Sequence, residues 1–122
     1  MGKVLIIEDN FEIRDNAVEL LALEGYDVIG AKDGKVGLEM VRLHRPAVIL
    51  CDIMMPEMDG YQVLEALKKE KLTPEIPFVF VTASVEPKEI QAALSLGAQA
   101  YLRKPFDEDE LLELVARYVK KA

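Results

Sequence analysis

Glu8, Asp9, Asp52, Thr82 and Lys104 share one kind of place in this 122-residue chain: each stands just after a short apolar or mixed β-rich run. Glu8 and Asp9 follow Val4-Leu5-Ile6-Ile7, and Asp52 follows Ala47-Val48-Ile49-Leu50-Cys51. Thr82 follows Phe78-Val79-Phe80-Val81, and Lys104-Pro105 comes after the more mixed segment from Gln99 to Leu102. Carboxylates with no His or Cys beside them are hard oxygen donors, which suit Mg²⁺ better than zinc. Brought together, three carboxylates and one ammonium leave two negative charges for one divalent cation to neutralise. Without it, two carboxylates ~4 Å apart repel by roughly 4 kcal/mol at an effective dielectric near 20. Any one of these acids reads as well as a solvated turn residue; the set converging with a lysine does not.

Convergence requires a sheet whose strand ends share one edge, and the periodicity supplies one. The three apolar runs are short and uninterrupted, as in central parallel strands covered on both faces. Tyr26 to Ala31 and Gln99 to Leu102 are expected at the sheet edges, where one side meets water. Ile13, Ala17, Leu20 and Leu21 keep helical spacing, with Gly25 at the C-terminal cap. Gly34 to His44, stopped by Pro46, makes a second helix. Val63, Leu64 and Leu67 mark a third, Ile90, Ala93, Leu94 and Gly97 a fourth, and Leu111, Leu112, Val115, Tyr118 and Val119 the last. The acidic run from Asp107 to Glu110 opens that helix with the charge its dipole prefers. No repeat, low-complexity tract or linker divides the chain. Residues 1–122 are therefore expected to form one α/β domain, a flavodoxin-like (βα)5 doubly wound parallel sheet of strand order 2-1-3-4-5. Such sheets bind ligands beyond the carboxyl ends of the strands, near the switch between the first and third.

Composition removes other classes. The chain is 51% hydrophobic and 30% charged, and no apolar run approaches the ~18 residues of a membrane span. The segment after Met1-Gly2-Lys3 is too short for a signal-peptide core, and Ile6 stands where a myristoylation signal needs Ser or Thr. A cytoplasmic location without membrane contact is expected. Cys51, the single cysteine, leaves no internal disulfide or Cys-rich metal cage. A net charge of −7 lacks the basic footprint of a nucleic-acid binder, so no direct nucleic-acid contact is expected.

Four segments carry a resemblance. Leu5-Ile6-Ile7-Glu8-Asp9-Asn10, Cys51-Asp52-Ile53-Met54-Met55-Pro56-Glu57-Met58-Asp59-Gly60, Val81-Thr82-Ala83 and Tyr101-Leu102-Arg103-Lys104-Pro105-Phe106 resemble, in order and separation, the signatures of response-regulator receiver domains of two-component signalling. The likeness extends over essentially the whole chain, and the run from Asp52 to Gly60 is its most specific part. It implies that Asp52 accepts a phosphoryl group from a sensor histidine kinase or phosphotransfer protein, forming an acyl phosphate. It further implies that Glu8, Asp9, Asp52 and the backbone carbonyl of Met54 hold Mg²⁺, which offsets the incoming charge. Lys104, the Thr82 hydroxyl and the Ala83 N–H would contact phosphoryl oxygens. Thr82 and Tyr101 would form the switch that re-shapes a partner-binding face, and Pro56, Gly60 and Pro105, the last after a cis bond, would support the loops. Such a domain is a regulatory phosphoacceptor rather than an enzyme on other substrates; its signal passes to a downstream effector protein or a fused output domain. Gln99 and Ala100 depart from the acidic pair many receivers carry there, which removes the basis for inferring dimerisation through that face.

Two other functions fit less well. Haloacid-dehalogenase-like phosphatases also form an aspartyl phosphate, but use a second acid two residues on, where this chain has Met54. A nucleotide module would need a glycine-rich phosphate loop, and Gly34-Lys35-Val36-Gly37 lacks the flanking pattern; a flavin module would want a Ser/Thr-rich phosphate loop after the first strand, where Glu8-Asp9 would repel the phosphate. His44, near a helix end, and Cys51, in a buried strand, read as structural.

Overall fold

Burial divides the strands as their sequences do. In the computed structural model, which describes residues 2–84 and 86–120, β1 (Lys3–Ile7), β3 (Val48–Asp52) and β4 (Phe78–Thr82) are buried almost throughout. β2 (Asp27–Ala31) and β5 (Ala100–Arg103) each bury one residue and leave the others partly or wholly exposed. All pairings are parallel, in the order β2-β1-β3-β4-β5, so the expected topology holds.

Side chains alternate across a strand, so each central strand feeds two cores. Leu5, Ile7, Ile49, Cys51, Phe78 and Phe80 face α2 (Gly34–His44), α3 (Gly60–Lys69) and α4 (Pro87–Ser95). Val4, Ile6, Val48, Leu50, Val79 and Val81 face α1 (Phe11–Leu23) and α5 (Glu108–Ala116). Four helices start on a side-chain cap. Asn10 accepts the Ile13 N–H and Asp33 that of Val36, while Asp59 with Gln62 and Asp107 with Glu110 form capping boxes. Each cap is worth about 1 kcal/mol and fixes where the preceding loop ends. A Cβ on Gly37 would lie 2.5 Å from Ile7 Cδ1. Gly37 thus lets α2 lie close on the sheet, while Gly34 leaves room for Val63 of α3 and Met58 in the loop before it.

Several boundaries differ from expectation. β2 begins at Asp27, opposite Lys3, and Tyr26 instead packs its ring into the second core. Gln99 precedes β5 and turns its Oε1 to accept the Phe78 N–H at 2.7 Å, satisfying the donor at the start of β4. Ala93 is the buried residue of α4, whereas Leu94 is 38% exposed. Tyr118 and Val119 lie past the end of α5 yet still pack against it. α2 is capped by Arg45, in the left-handed region at φ 46, with His44 its last helical residue. None of the helices among the described residues is long and apolar enough to cross a membrane.

Candidate functional site

Three strand ends meet where the topology requires. β1 delivers Glu8 and Asp9 and β3 delivers Asp52; one carboxylate oxygen from each lies within 4.8 Å of the others. Glu8 and Asp52 are buried, Asp9 exposed. Lys104, just beyond β5, reaches across to them. Its Nζ is 2.6 Å from Glu8 Oε1 and 3.4 Å from Asp52 Oδ1. Glu8 is held on every side: its N–H donates to Ala31 O, its carbonyl accepts Arg14 Nη1 at 2.7 Å, and Oε2 accepts the Asn10 N–H. The donor set is all oxygen, and Lys104 offsets one of the three negative charges. Among the described residues this is the one cluster of acids or imidazoles dense enough for a metal, and it fits a small hard dication.

Burial by itself would pull the Lys104 ammonium down. The hydrogen bond to Glu8 and the charges of Asp52 and Glu8 outweigh it and hold Lys104 above its ordinary value of 10.5. A folded-state pKa raised in this way contributes stability fully present below the unfolded value, and lost as pH rises through the folded one. Wild type should therefore melt above Lys104→Met at neutral pH in metal-free buffer. The gap should close as pH climbs beyond 10.5; a gap that persists in alkali would show that Lys104 acts by packing alone.

Thr82 ends β4 and is 8% exposed; its Oγ1 accepts the Ser84 N–H at 3.0 Å, which leaves its own proton to donate elsewhere. The Lys104 N–H donates to Thr82 O at 2.8 Å, tying the two loops together. Ala83 is exposed beside them. Ala83, Lys104, Pro105 and Phe106 line one wall of a groove of about 750 Å³, with Ile13, Leu20 and Leu23 of α1 opposite. Met54, two residues past Asp52, is 80% exposed. Tyr101 lies on β5, opposite Phe80 in register, with 39% of its surface exposed; it faces outward and is not part of the acidic cluster. The Lys104-Pro105 peptide is cis.

Pro56 and Glu57 lie in the exposed loop after Asp52, and Gly60 closes that loop by donating its N–H to Ile53 O at 2.9 Å. A Cβ at Gly60 would sit 2.5 Å from Asp52 O and 2.9 Å from Ile53 Cα, both backbone atoms with no rotamer to yield. Gly60→Ala should cost about 1–3 kcal/mol in urea unfolding, as overpacking does; an unchanged midpoint would show that the loop can shift freely. Cys51 is fully buried, and burial pushes its thiol well up, which leaves it without thiolate reactivity. Sequence reasoning passed over Arg14, one of 15 basic residues with nothing in its neighbours to single it out.

The family model described as "Response regulator receiver domain" matches residues 4–116. This chain belongs to that family. As a receiver domain it is a regulatory signalling module, in a family that uses Mg²⁺ at an acidic pocket. It is similar to "Probable transcriptional regulator ycf27" of Porphyridium aerugineum, at 37% identity over 98% of this chain and 50% of that protein. The "DNA-binding dual master transcriptional regulator RpaA" of a Synechocystis strain is 34% identical over 99% of this chain and 50% of that protein. This receiver domain thus spans about half the length of these curated relatives. Among solved structures, chemotaxis protein CheY4 of Vibrio cholerae matches with a TM-score of 0.90 at 31% identity, covering 98% of this chain and 99% of that one. The receiver domain of Francisella response regulator 1452 also reaches 0.90, at 30% identity, covering 97% and 96%.

Proposed function

We propose that Asp52 is the phosphoacceptor of this receiver domain, and that residues 1–122 act as one such unit. The observation that carries this is the placement of its buried carboxylate 3.4 Å from Lys104 Nζ, among two further carboxylates. Glu8, Asp9, Asp52 and the backbone carbonyl of Met54 would hold Mg²⁺, which when bound offsets the charge a phosphoryl group brings. An Asp52 carboxylate oxygen attacks phosphorus on a phosphohistidine; the O–P bond forms as the P–N bond breaks, and the imidazole leaves with the electron pair. Lys104 then pairs with a phosphoryl oxygen as a point charge, and the Thr82 hydroxyl and Ala83 N–H donate to the others.

The phosphodonor is a sensor histidine kinase or phosphotransfer protein. Its docking face is the groove between α1 and the loop after β5, because Ala83 and Lys104 belong to both groove and acceptor pocket. Output passes to an effector protein, or to a domain fused to this one in a longer chain, as the half-length match to the transcriptional regulators suggests. A cytoplasmic site of action and the absence of direct nucleic-acid contact by this unit complete the reading. Incubation with acetyl phosphate and Mg²⁺ should add one phosphoryl group, and borohydride reduction of the acyl phosphate should leave homoserine at residue 52. Homoserine at residue 9 instead would move the acceptor.

A further inference from the structure

Arg14 lies one turn into α1 and takes no part in the phosphoacceptor chemistry, yet its guanidinium is built into the acidic loop. Nη1 donates to the Glu8 carbonyl at 2.7 Å. The guanidinium carbon stands 5.6 Å from the centroid of the Phe11 ring, which stacks on it from the first position of the same helix. The stem crosses β2 at Gly30, where a Cβ would come within 3.3 Å of both Arg14 Cγ and Cδ. Glycine at this strand position leaves the room the side chain passes through.

The carbonyl it grips belongs to the peptide joining Glu8 to Asp9. That unit is planar, so fixing its oxygen also fixes where the Asp9 Cα sits and where its side chain departs. Glu8 is buried, its Oε1 and Oε2 are tethered by Lys104 and Asn10, and its N–H is tied to Ala31. Asp9, exposed, has its aim set through the shared peptide. We propose that Arg14 is a positioning residue for the Glu8–Asp9 pair, holding both carboxylates in the geometry a divalent cation needs. This rests on the reading of those two residues as metal ligands.

The sign of the effect separates positioning from simple electrostatics. Through space, deleting a positive charge beside an anionic pocket strengthens cation binding. Loss of positioning weakens it, typically by about tenfold when a partner outside the ligand set is removed. Mg²⁺ titrations at fixed ionic strength, followed by amide NMR shifts, should give Arg14→Met a Kd about tenfold above wild type, because Met keeps the stem's packing and loses the donors. A Kd equal to or below that of wild type overturns the proposal. Asp9→Ala runs alongside. If it binds Mg²⁺ as wild type does, the ligand reading fails and Arg14 falls with it; if it weakens binding while Arg14→Met does not, only the positioning role is lost. Should the Met variant fail to fold, Arg14→Lys decides in its place, since it keeps the charge but ends one bond short of the fork. A raised Kd then supports positioning and an unchanged one refutes it.

Discussion

Asp52→Asn will take up no phosphoryl group from acetyl phosphate and Mg²⁺, and in metal-free buffer it will be more stable than wild type. The first effect follows because an amide has no ionised oxygen to attack phosphorus, and Glu8 is buried in ties to Lys104 and Asn10. The second follows from charge. At an effective dielectric near 20, Lys104 at 3.4 Å attracts Asp52 by about 5 kcal/mol. Glu8 and Asp9, each no more than 4.8 Å away, repel it by about 3.5 kcal/mol or more apiece. Repulsion wins, and after solvent screening about 1–2 kcal/mol should separate the two proteins in urea unfolding. Mg²⁺ should narrow or reverse that gap, because the wild-type site binds the ion more tightly. Labelling of the Asn variant at the wild-type level would sink the acceptor assignment. A variant less stable without metal would show that Lys104 already satisfies all three carboxylates.

Thr82→Ala should separate the two halves of the response. Thr82 Oγ1 accepts from Ser84 N in the structure, so its proton is the part available to a phosphoryl oxygen. A bond there would draw the loop after β4 towards Asp52. Ser84 Oγ accepts the Glu86 N–H at 3.3 Å, and Glu86 is the first cap residue of α4, so the pull reaches that helix directly. α4 starts without a side-chain cap and buries Ala93 against the fold, which gives it little to resist with. Tyr101, exposed on β5, then has space to turn inward. With beryllofluoride and Mg²⁺, wild type should shift amide signals in the acidic pocket and along α4, β5 and the start of α5. In Thr82→Ala the pocket signals should still move, since Asp52, Glu8, Asp9 and Lys104 remain, and the distal ones should stay within a small fraction of their wild-type displacement. Equal distal shifts in both proteins would rule out the hydroxyl as the link.

How much of this was legible in the chain itself depends on range. Strand identity was local: Val4 to Ile7, Val48 to Cys51 and Phe78 to Val81 are β-rich and uninterrupted, and a strand covered on both faces tolerates nothing else. The acids sit one or two residues past those runs, so the strand order alone was enough to bring them together. The helix starts at Asp59 and Asp107 were written in those cap residues and in their partners Gln62 and Glu110, three positions on. What tertiary structure alone decided are the matters that depend on residues far apart meeting at ångström distances. Lys104 pairs more closely with Glu8 than with Asp52, across 96 positions. Leu94 stays exposed on an apolar-spaced helix because α4 reaches the sheet through Ala93. Gly60 is required by the Asp52 carbonyl beneath it. Arg14 acquires its place from a carbonyl six residues back, a ring three residues back and a strand whose glycine makes way for it. Periodicity reports which face of an element is apolar; which atoms then touch is set by how the elements pack, and that is not a local property of the chain.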